Sequence, residues 1–339
     1  MGKVLVLGEL LMRLTPPNNL RLDQTNSFDI CFGGAEANVA VGLESLGVNT
    51  NIISAVPNNT IGISAKAFLM SHGVNCDNII FKGDRLGIYY YEEGYGARSA
   101  NVIYDRANSS ITELEVEDLD FEKIFEDVEL LHVSGITFGL GEKTRVLGKA
   151  VVDEAKKRGI KISVDLNYRA KLFKDYKEFL DILTPIVKDS YLCFGWLTKN
   201  PNEFKFLDPA KEKITDEILK DKFSYMINEL GVKNLATTLR IADTSNMHSL
   251  TGVLYSDGVI YKSPKYEFQM LSRIGGGDAF ASGVIAKMLE KGIKDKCDIV
   301  EFGVAAAVLK HAQIGDVSLA REEEILNLIN NKTLGSVNR

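Results

Sequence analysis

Short apolar runs alternate with longer stretches of helical periodicity along most of the chain. The apolar run at residues 4–8 predicts a buried strand, and residues 35–46 have helical spacing up to Gly47, which suits a left-handed helix end. The same pattern predicts strands at 51–56, 130–134, 160–165, 191–194 and 234–238, and helices at 62–72, 143–158, 176–187 and 216–230. Repeated strand-then-helix units indicate an α/β fold with a mainly parallel sheet covered by helices on both faces.

Two segments interrupt this alternation. Residues 14–32 lack helical periodicity, and residues 85–106 contain two β-prone, tyrosine-rich runs around a glycine-containing turn. The second pattern is typical of an antiparallel hairpin. We expect the two segments, approximately 14–32 and 86–108, to form a small β-sheet lid inserted in a single domain that spans 1–339. A surface hairpin without a function is the alternative.

Composition and charge exclude several classes of protein. The 339 residues are 45% hydrophobic, which is enough for a large core, and the formal net charge is −6. The chain has no basic tract, so we expect no nucleic-acid partner. No apolar run reaches the roughly 18 residues of a membrane span, and we expect no membrane partner. The four cysteines are widely spaced, which favours a reduced, cytoplasmic protein.

The stretch "IGGGDAFASGV" places three glycines directly before an aspartate and a helical pattern. The glycines are Gly275, Gly276 and Gly277. They lie at a predicted helix N-terminus, where free N–H groups and the helix dipole favour an anion and glycine lets a phosphate approach closely. Asp278 follows them. On spacing alone it is either an N-cap or a general base that takes a proton from an attacking hydroxyl beside the anion pocket.

A second glycine pair opens an earlier helix. In "CFGGAEANVAVGLESLG", Gly33 and Gly34 allow close backbone approach, and Asn38 lies one turn inside the helix. An asparagine side chain offers both a donor and an acceptor, which suits sugar hydroxyls. A buried asparagine that only satisfies the backbone is the alternative.

The two glycine segments together resemble the two signatures of the PfkB, or ribokinase-like, carbohydrate kinases. The resemblance covers nearly the whole chain. It implies a Rossmann-like α/β core with a small β-sheet lid, in which Gly275, Gly276 and Gly277 form the anion hole and Asp278 is the catalytic base. It also implies ATP as the phosphoryl donor with Mg²⁺ bridging its phosphates. It leaves open whether a monovalent cation also binds.

Further stretches resemble the 2-keto-3-deoxygluconate kinase branch of that family. They are "LGELLMRLTPP", "GIYY", "YDRA", "DLNYR" and "RIGGGDAF". By this resemblance the substrate site is lined by Gly34, Asn38, Tyr89, Tyr104, Arg106 and Arg169. Arginine recognises carboxylates through its planar fork, so Arg106 and Arg169 favour an acidic sugar. The expected reaction converts ATP and 2-keto-3-deoxygluconate to the sugar 6-phosphate.

Two places depart from the family pattern. The magnesium motif N-x-x-E is matched by Asn200 and Glu203, which lie several residues beyond the strand where the motif is expected, so an accidental match is the alternative. On the nucleotide side, Thr238 stands where the strand is expected to end, and Leu239 and Arg240 replace a glycine-bearing turn. We expect ATP to contact Thr238, Arg240 and the glycines 275 and 277.

Three functions remain open at this point. The first is a sugar-acid kinase, and the second is a kinase for a neutral sugar such as fructose or ribose. The third is a sugar-acid sensor without catalytic activity, which the altered nucleotide strand favours. We also expect a homodimer that pairs through exposed apolar residues of the small β sheet.

Overall fold

The centre of the molecule is a ten-stranded, mainly parallel sheet. The computed structural model describes residues 2–205, 207–242, 246–293 and 295–331. With strands numbered in chain order over both sheets, the members of the main sheet are β1 (Lys3–Leu7), β4 (Thr50–Val56), β5 (Ile79–Phe81), β8 (Val128–Ser134), β9 (Lys161–Asp165), β10 (Leu192–Phe194), β11 (Asn234–Ala242), β12 (Met247–Ser256), β13 (Val259–Lys262) and β14 (Tyr266–Gln269). Their spatial order is β13-β12-β11-β10-β9-β8-β1-β4-β5, and β14 pairs with β12.

Helices cover both faces of this sheet. They are α1 (Ala35–Ser45), α2 (Thr60–Ser71), α3 (Phe121–Ile124), α4 (Gly135–Gly139), α5 (Glu142–Lys157), α6 (Tyr176–Val187), α7 (Asp216–Asn228), α8 (Gly276–Leu289), α9 (Lys296–His311) and α10 (Glu322–Asn331). Because side chains alternate along a strand, Val4 and Val6 of β1 enter one core while Leu5 and Leu7 enter the other. The first core contains α1, α2 and α8 to α10, and the second contains α3 to α7. None of the helices in the described part of the chain is long and apolar enough to cross a membrane.

A separate four-stranded sheet, called the small sheet below, stands apart from the main one. It contains β2 (Leu11–Thr15), β3 (Asp29–Gly33), β6 (Gly87–Glu92) and β7 (Asn101–Asp105), in the order β3-β2-β6-β7. Strands β6 and β7 are antiparallel, which confirms the predicted hairpin. Both interrupting segments therefore contribute to one sheet, although β2 begins at Leu11, before the expected boundary.

The prediction that the strand beginning at Asn234 ends at Thr238 was wrong. Strand β11 continues to Ala242 because Thr238 and the residues after it pair in antiparallel register with β12, Thr238 opposite Gly252. This antiparallel extension was not predicted from the sequence pattern, and neither were α9 and α10. The other predicted strands and helices occur within a few residues of their expected bounds.

Candidate active site

A cleft of about 610 Å³ opens where the parallel strands of the main sheet end. Asp165 lines it from the end of β9, and Gly195 lines it just after β10. The first turn of α8 contributes Asp278, and the small sheet contributes Tyr89 and Tyr104. This is the edge at which ligands bind in open α/β sheets. The small sheet therefore forms one wall of the cleft and the main sheet forms the opposite one.

The three glycines at 275–277, called the glycine turn below, have different surroundings. Gly275 is the N-cap of α8 and has a φ of 84°, a left-handed conformation that favours glycine. A Cβ on Gly275 would also collide with the carbonyl oxygen of Asp316, and one on Gly276 would collide with the ring of His311. Gly277 differs, because a Cβ there would have no described atom within 4 Å. Packing therefore requires glycine at positions 275 and 276, whereas Gly277 leaves open space on the cleft side.

Asp278 lies inside the first turn of α8 and is not its N-cap. The N-cap is Gly275, so the alternative that Asp278 is the N-cap is excluded. Asn38 Nδ2 donates to Asp278 Oδ2 at 2.7 Å, and the backbone N–H of Gly34 donates to Asn38 Oδ1 at 3.3 Å. The second bond orients the Asn38 amide so that its NH₂ group faces the carboxylate. The two glycine-led helices thus meet at the Asn38–Asp278 hydrogen bond.

Two carboxylates of the cleft, Asp278 and Asp165, have raised pKa values. Burial raises the pKa of Asp278 to about 7; the hydrogen bond from Asn38 opposes this, and the charge of Asp165 adds to it. Burial likewise raises the pKa of Asp165 to about 6, although Arg169 and a hydrogen bond from the N–H of Asn167 (3.0 Å) lower it. Strongly perturbed acids in a cleft are typical of functional sites. A carboxylate with a pKa near 7 is suited to accept a proton near neutral pH.

Two tyrosines from adjacent strands of the small sheet line the cleft. Tyr89 and Tyr104 are register partners on β6 and β7, with ring centroids 5.9 Å apart. The Tyr89 hydroxyl donates to Asp316 Oδ2, and burial raises the pKa of Tyr89 well above its ordinary value. Gly34 also lines the cleft, where a Cβ would collide with the carbonyl oxygen of Glu9.

The two predicted substrate arginines have different surroundings. Arg106 Nε donates to Glu9 Oε2 at 2.8 Å and its Nη2 donates to the same oxygen, while the guanidinium lies 5.3 Å from the Tyr104 ring centroid. Its charge is therefore matched by a nearly buried carboxylate. Arg169 is exposed in the cleft, just beyond β9, and donates to the neutral backbone carbonyl of Tyr168 at 3.3 Å. Arg169 is consequently better placed to meet an incoming carboxylate.

The predicted nucleotide residues also line the cleft. Thr238 and Arg240 lie on β11, and Arg273 joins them from the segment before the glycine turn. Burial lowers the pKa of Arg240, and the neighbouring charge of Arg273 lowers it further. Two cationic side chains beside a helix N-terminus form an environment that favours phosphate groups.

The structure does not bring Asn200 and Glu203 into the cleft. They lie at a short 3₁₀ turn, where Asn200 Nδ2 donates to Glu203 Oε1 at 3.0 Å and both residues are exposed. Glu203 borders a separate, smaller cavity instead. Among the described residues, no group of three or more His, Cys, Asp or Glu side chains is arranged to hold a metal ion.

Sequence reasoning missed four acidic residues and one arginine of the cleft: Glu9, Glu36, Asp165, Asp316 and Arg273. Asp165 ends a strand that was predicted, so the rule that ligands bind at carboxyl ends of strands was sufficient to find it. Glu9 follows β1 in the same way. Asp316 lies in a loop after α9 and has no comparable sequence signal.

Comparison with known proteins adds independent information. The family model for the pfkB family carbohydrate kinases matches residues 1–219. The chain is similar to the crystal structure of 2-dehydro-3-deoxygluconokinase from Thermotoga maritima, with 32% identity, a TM-score of 0.88 and coverage of 97% of this chain and 99% of that one. It is 27% identical to 2-dehydro-3-deoxygalactonokinase from Haloferax volcanii, over 96% of this chain and 95% of the relative. It is 26% identical to 5-dehydro-2-deoxygluconokinase from Clostridium botulinum, over 94% and 91%.

Replacing Asp278 by asparagine is expected to stabilise the fold at pH 8 and to leave stability unchanged near pH 4. A carboxyl whose pKa is raised on folding opposes folding only when it is ionised, so its cost appears as the pH rises from about 4 to about 7. Urea unfolding at both pH values should show a gain of about 1–3 kcal/mol for Asp278→Asn at pH 8 only.

The matched control for this measurement is Asp153→Asn on the exposed face of α5. Its effect should stay within about 0.5 kcal/mol at either pH. Equal effects of Asp278→Asn at pH 4 and pH 8 would contradict a raised pKa at this position.

Proposed function

Because the chain belongs to the pfkB family of carbohydrate kinases, we propose that it is an ATP-dependent sugar-acid kinase acting on 2-keto-3-deoxygluconate, also called 2-dehydro-3-deoxygluconate. The product is the 6-phosphate. The observation that carries the proposal is Asp278, a carboxylate with a pKa of about 7 held by Asn38 directly beside the glycine turn.

Asp278 acts as the general base in this proposal. It takes the proton from the primary hydroxyl of the sugar as the hydroxyl oxygen bonds to the γ-phosphorus, and the bond from that phosphorus to the ADP oxygen breaks. The N–H groups at the start of α8 stabilise the charge on the transferred phosphoryl group. The open space at Gly277 lets that group approach the backbone.

An acidic substrate is supported by the cations on the sugar side of the cleft. Arg169 offers a planar guanidinium beyond β9, and Arg106 is held against Tyr104 and Glu9. The named activities of the similar proteins from Thermotoga, Haloferax and Clostridium are all kinases of keto-deoxy sugar acids. Gly34, Asn38, Tyr89 and Tyr104 complete the proposed sugar site.

The nucleotide occupies the other end of the cleft. Thr238 and Arg240 contact ATP together with Gly275 and Gly277 of the glycine turn. Magnesium would neutralise charge on the phosphates, and hard cations prefer oxygen ligands. Asn200 and Glu203 do not fit this role as they stand, because they bond to each other outside the cleft. The carboxylate of Asp165, which lines the cleft, is a donor that fits. ATP as a substrate and four free cysteines agree with a cytoplasmic enzyme.

A neutral-sugar kinase is the second candidate, and one observation favours it. Glu9 already balances the charge of Arg106, so this arginine contributes less net attraction to a carboxylate than the sequence predicts. Under this alternative Arg169 would only flank the cleft. The sensor alternative has less support, since a carboxylate beside a glycine turn at a helix N-terminus supports phosphoryl transfer.

We further propose that two copies pair through the outer face of the small sheet. Leu14, Ile30, Tyr90 and Ile103 form one apolar row across its four strands, in register. Ile30 is 60% exposed and Ile103 is 47% exposed. An apolar row of this kind on a small sheet is costly in water and is typical of an interface.

The substrate assignment is tested by ADP release with Mg-ATP and 2-keto-3-deoxygluconate, fructose or ribose. We expect turnover on the keto-deoxy acid, and Asp278→Asn should lower kcat by about 10²–10⁴-fold because general-base catalysis contributes about that factor. Turnover on fructose or ribose in place of the acid would replace this assignment with the neutral-sugar kinase. Binding of the acid without any turnover would favour the sensor.

Replacing Arg169 by leucine tests recognition of the carboxylate. A charge-assisted hydrogen bond to a substrate carboxylate is worth about 1.5–3 kcal/mol, so KM for the acid should rise about 10–100-fold. Activity on any neutral sugar that the enzyme accepts should change little. Lys171→Leu, an exposed cation near the cleft but outside its lining, is the control and should leave KM unchanged. An unaltered KM in Arg169→Leu would exclude this arginine from substrate recognition.

Light scattering tests the dimer. The wild-type protein should have twice the mass of one chain, and Ile30→Glu combined with Ile103→Glu should produce a monomer because charges would be buried at the interface. Ile61→Glu on α2, where the side chain is 44% exposed, is the control and should remain dimeric. A wild-type protein with the mass of one chain would refute pairing.

A further inference from the structure

The carboxylate of Asp316 lies between the small sheet and the main body of the protein. Its Oδ1 accepts a hydrogen bond from Arg13 Nη1 at 2.6 Å, and its Oδ2 accepts one from the Tyr89 hydroxyl. Arg13 on β2 and Tyr89 on β6 are register partners, so the two donors stand side by side on one face of the small sheet. A single carboxylate therefore connects two strands of the small sheet to the loop after α9.

The backbone of Asp316 contacts the glycine turn directly. Its carbonyl oxygen lies so close to Gly275 that no side chain fits between them. Gly275 is the N-cap of α8 and immediately precedes the residues whose N–H groups are free at the start of that helix. A shift of Asp316 would consequently shift the groups that are proposed to bind the transferred phosphoryl group.

The loop that carries Asp316 is held firmly on its other side. The Nζ of Lys310, which is fully buried, donates to the carbonyls of Gln313 at 3.2 Å and Gly315 at 2.9 Å. The His311 carbonyl accepts the N–H of Leu271 at 2.8 Å, and His311 Nδ1 bonds the Ser272 carbonyl at 2.8 Å. The end of α9 and the segment before the glycine turn are therefore joined as one unit.

The Arg13–Asp316 pair is almost completely removed from water. The two side chains are 4% and 2% exposed. Burial raises the pKa of Asp316 above its ordinary value, and the charge of Arg13 opposes that change. A buried carboxylate that loses its cation must move or become protonated, because an isolated charge is strongly disfavoured there. The geometry of Asp316 thus depends on Arg13.

We propose that Arg13 is a positioning residue that couples sugar binding at the small sheet to nucleotide binding at the glycine turn, through Asp316. The inference rests on the proposed kinase function and adds a residue to it. Tyr89, a proposed sugar contact, shares Asp316 with Arg13, so a sugar that contacts Tyr89 also acts on the carboxylate and, through it, on the adjacent Gly275. Coupling between two ligands is reciprocal, so it can be measured from either ligand and must have the same value in both measurements.

Isothermal titration measures this coupling without turnover. Mg-ADP is titrated into the protein with and without saturating 2-keto-3-deoxygluconate, and the sugar acid is titrated with and without Mg-ADP. In the wild type each ligand should raise the affinity of the other by about tenfold, within the usual range for coupled sites. The ratio should fall to about one in Arg13→Met and to an intermediate value in Arg13→Lys, which keeps the charge but loses the planar fork.

Three further variants separate coupling from stability. Arg13→Met combined with Asp316→Asn removes both buried charges, should fold, and should also lack coupling. Arg21→Met, an exposed arginine shortly after β2, should retain the wild-type ratio. Lys171→Leu, at an exposed position outside the cleft lining, should also retain the ratio. A merely structural role for Arg13 would lower the unfolding temperature and leave the ratio of affinities unchanged.

Failure of this proposal differs from failure of the proposed function. Wild-type coupling near one, or an unchanged ratio in folded Arg13→Met or Arg13→Lys, would overturn the role of Arg13 while leaving the kinase assignment intact. If fructose or ribose binds in place of the acid, the substrate assignment is wrong. The same titrations with that sugar then test whether Arg13 couples the two binding sites. Absence of binding by all three sugars would overturn both proposals.

Discussion

The close packing of α1 against α8 is the contact on which the cleft depends. Gly42 of α1 lies so near Ser282 of α8 that a Cβ at position 42 would collide with the serine side chain, whose hydroxyl contacts the Val39 carbonyl at 3.3 Å. On its other side α8 meets α9 where Gly283 faces Gly303, and a Cβ on Gly283 would come within 2.8 Å of that backbone. Small residues therefore let α8 lie between two helices, and the N-termini of α1 and α8 reach the same edge of the sheet.

The electrostatics of the cleft follow from this packing. Burial raises the pKa of Asp278 to about 7 and that of Asp165 to about 6, and it also raises the pKa of Glu36 in the first turn of α1. Glu36 accepts hydrogen bonds from the hydroxyls of Ser134 and Thr137, which hold it in place. Ionisation of a buried carboxyl group with a raised pKa destabilises the folded protein. Such groups are typical of sites where a reaction needs a proton acceptor.

Arginine pairing shows why side-chain chemistry alone does not assign a role. Arg106 and Arg169 are equivalent in the sequence, since each follows a strand that ends near the cleft. In the folded chain Glu9 neutralises Arg106, whereas Arg169 donates to a backbone carbonyl and remains exposed to the cleft. Asn200 and Glu203 have the spacing of a magnesium motif but bond to each other outside the cleft. Partners that are distant in sequence decide whether a charged group is available to a ligand.

The sequence by itself determined the alternation of strands and helices, the hairpin, and the two glycine-led helix starts that contain Asn38 and Asp278. These features depend on local periodicity and on backbone conformations that few residues other than glycine adopt. Only the tertiary structure decided that β11 continues beyond Thr238, because its register with β12 supplies the hydrogen bonds. It also decided that Asp316 joins Arg13, Tyr89 and Gly275. Those contacts connect separate parts of the chain, and no local pattern of residues encodes which of them meet.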